Sequence, residues 1–156
     1  MLSTTLGKLI MTFLISMIPV IELRGGLPYG IVSGLELPMA ALAAILGNML
    51  PVPFIIVFIE QVFIWLRKHF PRMDRFITGL EKRAENKQAT VDRYGALGLI
   101  LLVAIPLPGT GAWTGSLVAA LMKMKLRKAI PCIFLGVIIA AILMTVITKL
   151  GIFAFF

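Results

Sequence analysis

The chain has one cysteine, Cys132, and one histidine, His69. A lone cysteine closes no disulfide within the chain and builds no zinc site. Inside its apolar run, Cys132 reads as a small core residue. His69 follows Arg67 and Lys68 with no second His or Cys to complete a site, and reads as an interfacial side chain near lipid phosphates. No metal and no cofactor is expected. Acids are scarce too: seven Asp and Glu stand against fifteen Lys and Arg. They form no cluster, and no nucleophile–base pair accompanies them, which argues against a membrane enzyme acting on lipid phosphates. The excess charge of +8 lacks aromatic interleaving or a nucleic-acid module, so no nucleic-acid partner is expected. A cleavable leader is not expected either: Lys8 is a thin basic region, and no small-x-small site follows before Glu22.

What the chain has in abundance is apolar sequence. Hydrophobic residues make up 60% of 156, in runs longer than a soluble core helix requires. The expected class is an all-α integral membrane protein, with lipid as the solvent for its apolar faces. Most of the charge lies in 67–94 and 123–128, as basic segments held on the cytoplasmic side would have it.

Two interrupted stretches organise the rest. The first is Ile21-Glu22-Leu23-Arg24-Gly25-Gly26-Leu27-Pro28; the second runs from Ile105 to Gly115 through Pro106, Pro108, Gly109, Thr110, Gly111, Trp113 and Thr114. On either side of each, the apolar arms are short. Pro28 to Leu37 rises about 15 Å as a helix and Ala112 to Met122 about 16 Å, against roughly 30 Å for the hydrocarbon core. Arms of that length turn back, so both stretches are read as tips of re-entrant hairpins. Residues 38–66 are long enough to span, with a kink expected where Asn48, Pro51 and Pro53 interrupt them. Residues 129–150 are a clean span with Pro131 in the first turn. Between the halves, Met73, Ile77, Leu80, Ala84, Val91 and Tyr94 recur at helical spacing among charges, predicting an amphipathic helix in the headgroup plane.

Each half thus repeats one order: short arm, break, short arm, turn, full span. A shift of 89 residues overlays Pro19 on Pro108, Gly26 on Gly115, Leu37 on Leu126 and Gly47 on Gly136. If 96–122 crossed fully, the basic segments 67–94 and 123–128 would face opposite sides, against the positive-inside tendency. As a hairpin it leaves both in the cytoplasm, and the two halves become inverted relative to each other, an arrangement of many secondary transporters. The reading is therefore one transmembrane domain over 1–156. It comprises repeat 1 (1–66), an amphipathic linker (67–94) and repeat 2 (95–156), multi-pass in a bacterial or archaeal cytoplasmic membrane.

Glu22 and Arg24 each cost about 2.5–3.5 kcal/mol inside a bilayer on insertion scales. Two residues apart, they face each other only on a non-helical backbone, which Gly25 and Gly26 would permit. They are either a structural ion pair or a proton-titrating carboxylate beside an anion-binding arginine. The second tip offers Thr110, Trp113, Thr114 and Ser116 with open amides and a helix N-terminus near Ala112, which favours anions. Those groups either satisfy one another or, with Arg24, hold an anionic head group. The candidate binding residues are Glu22, Arg24, Gly25, Gly26, Asn48, Pro106, Pro108, Gly109, Thr110, Gly111, Trp113 and Thr114.

At Glu22–Gly30, Leu46–Pro51 and Ile105–Gly115 the sequence resembles the family described as putative small multidrug export proteins. The family's usual Glu-x-Arg-Gly-Ala stretch has Gly26 in place of alanine here. More distantly it is similar to the DedA/VTT membrane proteins, which have two inverted re-entrant hairpins and are linked to lipid-carrier flipping. Between Gly95 and Met122 there is no acid or arginine, so a two-carboxylate or two-arginine mechanism does not carry over. The resemblance implies a transporter fold. The reading reached is a small ion-coupled transporter or flippase, with few helices to enclose a path alone and therefore expected as a homodimer among membrane lipids. Its substrate would be a small molecule or a lipid phosphate. A cationic multidrug exporter and a non-transporting assembly factor are the alternatives. Cysteines placed at Gly95 and Lys125 should be labelled from the same side of the membrane; labelling from opposite sides would remove the second hairpin.

Overall fold

The computed structural model describes residues 4–107 and 110–151, apart from the side chains of 84 and 87–92. Ala84 and Val91 of the amphipathic pattern fall among those side chains, and Pro108 and Gly109 lie outside the described residues. Eight α-helices make up the described chain: α1 (Thr5–Met17), α2 (Glu22–Val32), α3 (Leu37–Met49), α4 (Pro51–His69), α5 (Asp74–Tyr94), α6 (Ala96–Ala104), α7 (Ala112–Leu121) and α8 (Leu126–Lys149). A 3-10 turn, Pro71–Met73, precedes α5.

Two stretches are long and apolar enough to cross a membrane: α3 with α4, over Leu37–His69, and α8. At 1.5 Å per residue α8 extends about 36 Å, more than a hydrocarbon core, whereas α1, α2, α6 and α7 reach about 14–20 Å and cannot cross. Leu42 and Leu46 of α3, Phe54 and Phe58 of α4, and Leu135 and Ile142 of α8 face outward uncovered. In water such surfaces would associate; in lipid they are solvated. The chain is a membrane protein.

Hairpin α1–α2 packs on α3, and hairpin α6–α7 packs on α8. The second arm of each also touches the long helix of the other half, α2 on α8 and α7 on α4. One apolar core results, with Leu23, Leu27, Ala40, Ala44 and Val52 from the first half meeting Leu99, Val103, Val118, Ile133 and Val137 from the second.

Local chemistry sets the breaks, and the first lies earlier than expected. Pro19 forces Ile18 out of the helical region, to φ −68° and ψ 127°, so α1 ends at Met17. The chain turns over Ile18–Ile21, and Glu22 already opens α2. Gly25, Gly26 and Pro28, expected to break the helix, lie inside it. The two glycines serve close contact with neighbours: a Cβ on Gly26 would overlap the Ser16 hydroxyl, and Gly25 lies against Ile21 and Ile15. Lipid supplies no hydrophobic drive between helices, so such close backbone approach is what holds membrane helices together. Thr12 and Ser16 donate to the carbonyls of Lys8 and Thr12, each at 2.8 Å, so α1 buries both hydroxyls with a partner.

The turns after α2 and α7 are the same structure built twice. Ser33 and Met122 close their helices with N–H groups directed to Tyr29 and Val118, respectively. Gly34 donates to Ile31 as Lys123 donates to Ala120, and Leu35 to Gly30 as Met124 donates to Ala119. Every pair is 89 residues apart, the shift read from the sequence. Gly34 and Lys123 are both left-handed, at φ 86° and 51°. Gly47 and Gly136 also correspond, each meeting the backbone of its half's first arm, at Phe13 and Ile100.

α4 runs to His69, and the amphipathic helix begins at Asp74, just beyond Pro71 where the pattern of apolar residues starts. It is fixed by Arg67, which bridges to Asp74 at 3.0 Å and Glu81 at 2.5 Å, and by Ile77, buried in the protein. It packs on α6 and α7 as well as presenting exposed charge. His69 stacks on Trp65 with ring centroids 4.7 Å apart. α8 starts three residues before the expected 129, which puts Pro131 in its second turn.

Gly47→Ala should destabilise the protein by about 1–3 kcal/mol, because its methyl would overlap the Phe13 carbonyl. Gly79→Ala, on α5 with nothing within 4 Å of an added Cβ, should instead stabilise it by about 0.5–1 kcal/mol. Thermal unfolding in detergent reads both.

Candidate functional site

The two tips meet, and each supplies what the other lacks. A helix leaves bare amides at its start and bare carbonyls at its end. Away from water each bare group costs several kcal/mol. α7 starts at Ala112 with no side-chain cap of its own. Glu22, 3% exposed, fills that place: its carboxylate accepts from the N–H of Ala112 and of Trp113, both at 3.1 Å. The helix dipole adds to these charge-assisted bonds.

Arg24, two residues on, serves the other side of the same break. Its guanidinium donates to the carbonyl of Leu107, to that of Ile105 at 3.3 Å and to the Thr110 hydroxyl at 2.6 Å. These carbonyls follow the last turn of α6, the negative end of its dipole. Thr110 Oγ1 lies 2.7 and 2.8 Å from the same two carbonyls and, with one proton, donates to one at a time. The return contact is made by Trp113, whose indole N–H donates to the Met17 carbonyl at the end of α1, 3.2 Å away.

Glu22 and Arg24 therefore do not pair with each other. The ion pairs within 4 Å among the described residues both belong to Arg67. The acid and base instead grip opposite sides of the α6–α7 break. Their two-residue spacing suits this division, since on the first turn of α2 they point in different directions. Holding Glu22 there requires φ 51°, next but one to Val20 at φ 77°. Left-handed backbone is uncommon for Glu and a strong outlier for a β-branched residue, at about 1–3 kcal/mol each. Gly111, at φ 117°, has no room for a side chain, since a Cβ would overlap the Glu22 carboxylate.

Of the amides at the second tip, those of Thr110, Gly111, Ala112 and Trp113 are occupied rather than open. Besides those held by Glu22, the Thr110 N–H donates to Leu107 at 3.2 Å and the Gly111 N–H to Leu102 at 3.4 Å. Of the candidate residues, Glu22, Arg24, Thr110, Gly111 and Trp113 come together here. Pro106 sits between the two carbonyls that Arg24 holds. Thr114 is half-buried on the first turn of α7, and Gly25 and Gly26 belong to the packing of α2. Asn48 is on α3, 2% exposed, with Oδ1 lacking a partner among the described residues. Sequence reasoning missed the carbonyls of Met17, Ile105 and Leu107 as partners. Backbone acceptors carry no residue signature, though a proline just beyond each of these helix ends marks where carbonyls go unpaired.

A family model described as putative small multi-drug export protein matches residues 22–143, from the site's carboxylate through most of α8. The chain belongs to this family. No curated protein and no solved structure matches the chain. The family's description is one of small multi-drug export, in keeping with the apolar spans.

Glu22→Ala should cost more than Glu22→Gln, which keeps one acceptor and should lose about 1.5–3 kcal/mol. Gly111→Ala should be severe in the wild-type background and milder in Glu22→Ala, where the overlap is gone. Additive losses in that thermal-unfolding cycle would show that the two residues do not meet.

Proposed function

We propose that this family member is a small ion-coupled transporter in which two re-entrant hairpins, inverted relative to each other, form a gate between their tips. Four arms too short to cross, and one turn built twice at a shift of 89 residues, support the inverted repeat. With hairpins in both halves, the basic end of α4 and the basic loop 123–128 share the cytoplasmic side. Two full spans enclose little path, so the working unit is a homodimer.

The observation that carries the mechanism is the Glu22 carboxylate on the amides of Ala112 and Trp113. A helix start that holds a carboxylate will hold another anionic head group once Glu22 leaves. Protonating Glu22 removes its charge and weakens its grip. The anion of an amphiphilic substrate then takes the two amides, with Arg24 beside it. Expulsion follows when Glu22 gives up its proton and reclaims them. Proton and substrate binding are thus coupled positively, because the ionised carboxylate and the substrate anion compete for one place, and each tenfold preference for one state shifts the equilibrium by about 1.4 kcal/mol.

A second reading rests on Arg24. Its guanidinium is a cation surrounded by the oxygens of Ile105, Leu107 and Thr110. A cationic drug could displace it and use Glu22 as counter-charge, in line with the family's description. Thermal stabilisation separates the readings. An alkyl phosphate should stabilise the wild type, stabilise Glu22→Gln more, and leave Arg24→Ala unmoved. Stabilisation by a lipophilic cation instead, abolished in Glu22→Gln, would replace the anion reading by cation export. No response to either class, with no flux in proteoliposomes, would leave an assembly factor.

A further inference from the structure

A groove of about 420 Å³ lies away from the hairpin tips, between the start of α6, the turn after α7 and the first two turns of α8. That volume falls in the range of small-molecule sites, roughly 300–1,000 Å³. Its lining shares no residue with the Glu22–Arg24 site. The walls are apolar at Ala96, Met122, Pro131 and Cys132, and cationic at Arg127 and Lys128. Apolar and charged parts are separated along α8. Arg127 and Lys128 stand in the first turn of a membrane-length helix, at the level where its apolar stretch begins. Cys132 is five residues on from Arg127, about 7 Å deeper.

The charge here is not balanced by the protein. Lys123, Lys125, Arg127 and Lys128 are all exposed, no acid occurs in 123–128, and the ion pairs among the described residues belong to Arg67. Pro131 has no N–H, so the Arg127 carbonyl loses its helical donor.

We propose that this groove binds one anionic phospholipid, with its phosphate on Arg127 and Lys128 and the start of an acyl chain against Ala96, Met122, Pro131 and Cys132. A basic pocket at the end of a membrane helix, opening onto apolar surface, has the chemistry of an anionic headgroup site. The site would tie the turn after α7 to the membrane surface, and so bears on how freely α7 moves. It does not depend on which substrate the hairpins carry.

Cys132 makes the test direct, because it is the chain's only cysteine, half-buried in the groove wall. Its alkylation by a maleimide can be followed in detergent with phosphatidylglycerol, phosphatidylcholine or inorganic phosphate added. Phosphatidylglycerol should slow the reaction roughly fivefold when present at about four times its dissociation constant. Phosphatidylcholine and phosphate should not. The protection should vanish in Arg127→Gln/Lys128→Gln and persist in Lys123→Gln/Lys125→Gln. Equal protection by phosphatidylcholine would reduce the groove to an apolar surface, and protection by phosphate alone would make the ligand a free anion. Equal loss in both double variants would reduce the effect to diffuse surface charge. On the unmutated protein, native mass spectrometry should retain phosphatidylglycerol over phosphatidylcholine; equal retention of the two lipids overturns the proposal whatever the variants do.

Discussion

A helix that stops among packed apolar neighbours leaves backbone groups in need of partners. The rest of this structure depends on how that constraint is met. α1 ends at Met17, α6 ends at Ala104 and α7 begins at Ala112, each beside an interruption the neighbouring helix cannot repair. Trp113 covers the first end, Arg24 the second and Glu22 the third. In each case the repair comes from the opposite hairpin. Neither tip is therefore complete alone, and the packing of the hairpins and the satisfaction of their backbones are one event.

This reciprocity explains residues that would otherwise be liabilities. An acid and an arginine are costly in apolar surroundings, but here each serves backbone groups that a helix end leaves bare. Left-handed Val20 and Glu22 are strained, yet the strain aims the carboxylate at two amides. The arrangement is held by a few directional bonds between the two hairpins and by an apolar core drawn from both halves. Such bonds can exchange partners, whereas the glycine contacts of Gly26 and Gly47 admit little movement of the backbones they join.

Much of this is legible in the chain. The lengths of the arms, the proline interruptions and the uneven charge point to all-helical membrane architecture with two full spans. Glu22, Arg24, Thr110, Gly111 and Trp113 stand out because polar and conformationally special residues are rare in such runs. What the chain hides is the partner of each. Glycine signals both a turn and a close contact between helices; Gly25 and Gly26 suggest the former, where α2 uses them for the latter. The amides at the second tip look open because the groups that occupy them are a carboxylate some 90 residues away and backbone carbonyls. Spacing along one segment says nothing about either. The start of α5 beyond Pro71 is legible in the apolar pattern, whereas its ties from Asp74 and Glu81 to Arg67 of α4 are not.

The two matched turns differ in one telling respect. Gly34 and Lys123 occupy the same left-handed position, but a lysine there carries about 1–2 kcal/mol of steric cost that glycine avoids. In return the second turn places a cation at the end of α7, beside Lys125 and Arg127. The shape of this turn and its charge are thus separable quantities. Two turns can share one backbone while differing in the side chain that their left-handed residue presents.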